Sequence, residues 1–149
     1  MLERVPVGVF SYTPNALPLL NSYRYAYIVA VAKPFEYSSK RSSRIVYIGK
    51  FDQRWPRAHV PFSSMGWMID TYIPERAAAH VGEPVDLSLV NPREAEPEDC
   101  EGALLNRFRE MYGRLPIGNS KGGSPGAARR LAAHGITEDD LTAVLMQME

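Results

Sequence analysis

Apolar residues recur with two different periods along this chain, and the switch between them outlines its architecture. Tyr23 to Ala32 and Arg44 to Gly49 are dense in aromatic and β-branched residues, a strand composition. The polar stretch Lys33 to Ser43 between them predicts an antiparallel hairpin. A period of two places Tyr23, Tyr25, Tyr27, Val29 and Val31 on one face of the first strand. Val85 to Val90 reads as a third strand with Val85, Leu87 and Leu89 turned inward.

Helical spacing takes over in the second half. Leu104, Leu105, Phe108 and Tyr112 recur at threes and fours and predict a helix over Glu98 to Tyr112, stopped before Pro116. Gly118 to Gly126 is a Gly/Ser-rich loop, followed by a helix from Ala127 to His134 with Gly135 as its C-cap. Thr137 with Asp140 resembles a capping box in which Asp replaces Glu or Gln. Leu141, Val144, Leu145 and Met148 supply the apolar stripe of the helix it opens. Two short helices are expected at Arg54 to Val60 and Pro74 to Val81, with a loop rich in Met65, Trp67 and Met68 between them. Pro6, Pro14 and Pro18 break the apolar N-terminus into an extended arm packed on the domain.

These elements predict an α+β domain: a small, mostly antiparallel, three-stranded central sheet flanked by helices, with a C-terminal helical hairpin. The expected organisation is an arm over 1–22, a domain over 23–119 and a helical extension over 120–149. No internal repeat is visible. The uncharged run from Val5 to Tyr23 contains three prolines and two asparagines, which excludes a transmembrane span and argues against a signal peptide. One cysteine, Cys100, permits neither an internal disulfide nor a cysteine-based zinc site. An intracellular, cytoplasmic protein without a membrane partner is expected.

The formal net charge of +0 at first argues against nucleic acid, since such binding replaces counterions with Lys and Arg. Its distribution argues otherwise. Arg24 to Arg57 holds eight basic residues against two acids, whereas Arg93 to Glu101 holds one base against five acids. Within that acidic cluster, Glu101 falls on the same stripe as Leu104, Leu105 and Phe108. A carboxylate at the edge of a core is costly unless a cation meets it. Glu101 can therefore be read as a metal ligand, as an arginine's salt-bridge partner, or as a charge favouring the helix N-terminus.

The run Ile45-Val46-Tyr47-Ile48-Gly49-Lys50, with Arg57 ten residues beyond Tyr47, resembles the second half of the signature of the GIY-YIG nuclease superfamily. Glu101 ahead of Leu104-Leu105 is similar to that family's glutamate-bearing helix, and Pro116-Ile117-Gly118-Asn119 to its asparagine-bearing end. The resemblance covers roughly Tyr23 to Asn119. Where the family carries GIY this chain has Tyr25-Ala26-Tyr27, and where many members have a histidine or tyrosine four residues past the arginine it has Pro61, with His59 nearer.

The resemblance implies a metal-dependent endonuclease acting on nucleic acid, with double-stranded DNA as the expected partner, and leaves a homodimer open. It implies that Glu101 holds one Mg²⁺ or Mn²⁺, a hard cation content with a single carboxylate, waters and phosphate oxygens. Arg57 would clamp phosphate through its planar donor fork. Tyr47, or less readily Tyr27, would position or deprotonate the attacking water. A phenol near pKa 10 is about three units too weak for this at pH 7, a deficit of roughly 4 kcal/mol that Lys50, Arg57 and the metal would offset. His59 is a further catalytic candidate, and Gly49, Asn119, Arg54, Arg44 and Lys121 are candidates for contact with substrate.

Plainer readings stand beside each of these. Strand tyrosines are commonly core, Arg129 and Arg130 suit a solvated helix face, and Trp67 between two apolar neighbours suits packing. His80 and His134 sit in alanine-rich helical contexts that suit surface or capping roles. Two other functions also fit: a GIY-YIG-like module that binds nucleic acid without cutting it, and a protein-interaction domain.

Overall fold

A computed structural model describes residues 3–10, 25–51 and 85–149. Four strands and three helices lie in these segments: β1 (Glu3–Phe10), β2 (Tyr25–Ser38), β3 (Arg41–Phe51), β4 (Val85–Asn91), α1 (Pro97–Tyr112), α2 (Ala127–Ala132) and α3 (Glu138–Met146). The strands form one sheet in the order β1-β4-β2-β3, with every neighbouring pair antiparallel. The α+β class and the antiparallel sheet are as the sequence predicts. The three expected strands are joined by a fourth, because the N-terminal arm pairs along β4 from Glu3↔Asn91 to Phe10↔Val85. Pro6 is tolerated there since β1 is an edge strand and its register shifts between Pro6 and Gly8.

The hairpin is longer than the polar stretch Lys33 to Ser43 suggests. Its strands run on to a tight turn at Ser39 and Lys40, with irregular pairing between Ala30 and Phe35. Tyr37 carries this polar segment into the core. Its ring meets Phe108 edge-on at 5.0 Å, and its hydroxyl donates to the Ile45 carbonyl at 2.5 Å while accepting from the Ile117 N–H at 3.1 Å. Phe35, half-buried, packs against Tyr37 with ring centroids 4.9 Å apart, so the apolar content of the outer hairpin lies in two aromatic residues, too short a run for a period to stand out.

Ala26 to Val31 are all buried, so β2, between two neighbouring strands, is covered on both faces. In β4, Ser88 and Val90 are buried, and the expected inward side chains of Val85, Leu87 and Leu89 lie outside the described ones. Helix α1 packs Cys100, Leu104, Leu105, Phe108 and Tyr112 into the same buried cluster, and α2 and α3 add Leu131, Leu141, Val144 and Leu145. The expected capping box is present: the Asp140 N–H donates to Thr137 Oγ1 at 3.2 Å, and the Thr137 N–H to Asp140 Oδ2 at 2.9 Å. The helices expected at Arg54 to Val60 and Pro74 to Val81 lie outside the described residues. Among the described residues no helix is long and apolar enough to cross a membrane.

Strand β3 stands at the end of the sheet, yet alternate backbone groups on its outer side are taken. The Arg44 N–H donates to the Met148 carbonyl at 2.7 Å, and the Gly118 N–H donates to the Val46 carbonyl at 2.8 Å. The Asn119 carboxamide pairs with Ile48, accepting from its N–H at 3.0 Å and donating to its carbonyl at 2.9 Å. An amide has the donor and acceptor spacing of a peptide unit, so Asn119 acts as one residue of an absent neighbouring strand. Glu149 secures the same side, accepting from Arg41 Nη1 at 2.6 Å and from the Tyr112 hydroxyl at 2.7 Å. An edge closed in this way offers little template for pairing with another chain.

Candidate active site

Tyr27 and Gly49 are cross-strand partners on β2 and β3. A Cβ built on Gly49 would lie 2.5 Å from both Cζ and Oη of Tyr27, so the phenol ring occupies the space a side chain would need. The glycine that suggested a close approach of substrate is thus required by a tyrosine of the neighbouring strand. Gly49→Ala should cost about 1 to 3 kcal/mol, the usual range for overpacking. Chemical denaturation measures this, and unchanged stability would show that the Tyr27 ring does not depend on that space.

The Tyr27 ring lies 5.9 Å from that of Tyr47, tilted by 40°. Tyr27 is 1% exposed, and burial pushes its phenol well above the ordinary value. The charges of Tyr47 and Glu101 and a hydrogen bond with Tyr47 act in the same direction. Tyr27 therefore keeps its proton at neutral pH and serves as the hydrogen-bonding neighbour of Tyr47. Of the two phenols, only the half-buried Tyr47 lies where solvent can reach it.

Glu101 comes from the second turn of α1, on the buried stripe that its spacing predicts. It is half-buried, and among the described residues it makes no hydrogen bond and no ion pair. Its carboxyl is pushed up to about 7, chiefly by burial, with Lys50 opposing the shift and Glu98 adding to it. Lys50 approaches Glu98 instead, Nζ to Oε2 at 3.8 Å. Glu98 was not singled out by the sequence as a site residue. Its position three residues before Glu101 places both acids on one side of the helix, a spacing that could have flagged it.

The structure therefore gathers Tyr27, Tyr47, Gly49, Lys50 and Glu101 around the end of β3 and the start of α1. Other candidates go elsewhere. Arg44 lies toward the opposite end of β3, where its guanidinium meets the Met148 sulfur at 3.6 Å. Asn119 pairs its amide with the backbone of Ile48, which gives this expected substrate contact a structural task in the fold. Lys121 is exposed in the glycine loop, and His134 is exposed as expected. Arg54, Arg57 and His59, with His80 and Trp67, lie outside the described residues.

Among the described residues no group of three His, Cys, Asp or Glu side chains gathers as a metal cage. Glu101 alone nevertheless suits a single hard cation. Its carboxylate lacks a partner among these residues and sits where ionisation is costly, a cost that a bound divalent ion would offset. Compared with models of protein families, with curated proteins and with solved structures, the chain matches none.

Proposed function

We propose that this protein is a GIY-YIG-like, metal-dependent endonuclease that hydrolyses phosphodiester bonds in double-stranded DNA. The observation carrying this reading is the half-buried Glu101 carboxylate, in no hydrogen bond or ion pair among the described residues and electrostatically coupled to Tyr27 and to Lys50. Glu101 would hold one Mg²⁺ or Mn²⁺, which supplies positive charge to the phosphate and acidity to a bound water. Tyr47 would orient the attacking water or take its proton, with Tyr27 holding the Tyr47 oxygen in place through their hydrogen bond. Lys50 would lend positive charge to the developing phenolate and phosphate oxygens. Arg57, at the family spacing from Tyr47, is assigned the phosphate clamp.

Plasmid nicking in Mg²⁺ or Mn²⁺ tests this reading, with EDTA as the control. Tyr47→Phe should lower the rate about 10² to 10⁴-fold, the range of a general acid–base group. Arg57→Ala should lower it by a comparable factor. Absence of nicking by the wild type on any nucleic acid, or equal nicking by all variants, would leave the fold as a binding module only.

A further inference from the structure

Residues 111–137 contain no acid and four bases, and three of those bases fall between Lys121 and Arg130. The fold gathers these three around the glycine loop and adds a fourth from α1. Arg109 Nη1 lies 3.1 Å from the place a Cβ would take on Gly122, and the guanidinium groups of Arg130 and Arg129 lie against Gly126. Arg130 is held by Asp99 at 2.8 Å and by Ser124 at 3.1 Å. Lys121 and Arg129 are exposed and make no ion pair among the described residues, and Arg109 makes only a long contact of 3.5 Å with Asn106. Among the described residues no carboxylate neutralises these three charges.

The loop itself is pinned. Asn106 accepts from the Gly123 N–H at 3.0 Å and donates to the Ser124 carbonyl at 3.0 Å, repeating on α1 the amide pairing that Asn119 makes on β3. A Cβ on Gly123 would fall 2.2 Å from the Gly102 Cα, so backbone rests on backbone one residue after Glu101. The chain from Gly118 to Gly123 therefore spans from the edge of β3 to the turn of α1 that carries Glu101. Its basic rim is fixed beside the candidate site, a geometry suited to a polyanion that passes the site.

We infer that the Lys121–Gly126 loop, with Arg109 and Arg129 laid along it, contacts the backbone phosphates of a DNA duplex flanking Glu101. This rests on the nuclease reading for the identity of the site, while the contact itself is a binding property measurable without cleavage. It also places the duplex against α1 and the glycine loop, away from the outer hairpin where Lys33 and Lys40 lie.

The test is fluorescence anisotropy of a labelled DNA duplex in EDTA over a range of salt, with nicking measured in Mn²⁺. The variant Arg109→Gln/Lys121→Gln/Arg129→Gln is compared with Lys33→Gln/Lys40→Gln/Arg114→Gln, which removes the same charge from the outer hairpin and the Arg114 that acts on its Tyr37. The loop variant should bind at least about tenfold more weakly, and its slope of log K against log salt should be shallower by about 2 to 3, near 0.9 per lost phosphate contact. Equal weakening by both variants, no weakening by the loop variant, or no binding by the wild type overturns the inference. Salt-sensitive binding lost only in the loop variant, without nicking by the wild type, supports it while overturning the nuclease reading. Wild-type nicking with unchanged binding and nicking in the loop variant overturns the inference alone.

Discussion

Glu101→Gln is expected to make the protein more stable above neutral pH and, in the same variant, to abolish metal-dependent nicking. The stability effect follows from the raised carboxyl, at about 7 in the folded chain against 4.5 ordinarily. Below about pH 4.5 the group is protonated in folded and unfolded chains alike, and burial of a charge costs nothing. Between 4.5 and 7 the unfolded chain releases the proton while the folded chain retains it, so stability falls as pH rises. Above 7 both are ionised and the fold carries the whole penalty, about 3 kcal/mol for a shift of this size. Glutamine never ionises, so the variant should exceed the wild type by up to about 3 kcal/mol at pH 8 and match it near pH 4.

Denaturation at the two pH values measures this difference. A variant weaker than the wild type at pH 8 would mean that the carboxylate is satisfied by a structural cation, the salt-bridge reading of Glu101. Mn²⁺ should raise the midpoint of thermal unfolding of the wild type at pH 8 and leave that of Glu101→Gln unmoved, because only the carboxylate gains from the ion. A residue whose replacement stabilises the fold and removes activity is held for its chemistry.

Asn119→Ala is expected to destabilise the protein by about 2 to 4 kcal/mol, since it strips partners from both the Ile48 N–H and the Ile48 carbonyl, at about 1 to 3 kcal/mol for each orphaned group. Ile48 is 1% exposed, so water replaces those bonds poorly. Exchange of the Ile48 amide hydrogen should accelerate, and the opened β3 edge should raise light scattering at high protein concentration. Asn119→Asp is informative in a second way. It retains the acceptor for the Ile48 N–H but turns a carboxylate toward a carbonyl, so it should recover stability as pH falls through the carboxylate range and the acid regains a donor. Nicking per folded molecule should be unchanged in Asn119→Ala. Lost nicking with unaltered stability and amide exchange would return Asn119 to the substrate.

The parts of this protein legible in the sequence are those set by neighbours in the chain. Period-two runs located the inner halves of β2 and β3, helical spacing located α1 and put Glu101 on its buried stripe, and Thr137 with Asp140 marked the start of α3. Each depends on residues within about one turn or one strand of each other, where backbone geometry alone decides which side chains share a face. Tyr37 shows the limit of that reading, since Phe35 and Tyr37, set among charged and hydroxyl residues, are too few for a period to stand out.

What only the tertiary structure decided depends on partners far apart in sequence. Asn119 and Ile48 are 71 residues apart, and a carboxamide suits a substrate phosphate as well as a backbone edge until its partner is known. The motif glycine Gly49 is bare because Tyr27 of another strand fills the space above it. Residues 3–10 of the N-terminal arm form a strand because β4 has a free side to accept them. Glu101 gained its chemical character in the same way: helical spacing placed the carboxylate on the core, but burial against the sheet, with Lys50 and Glu98 beside it, set its affinity for a proton.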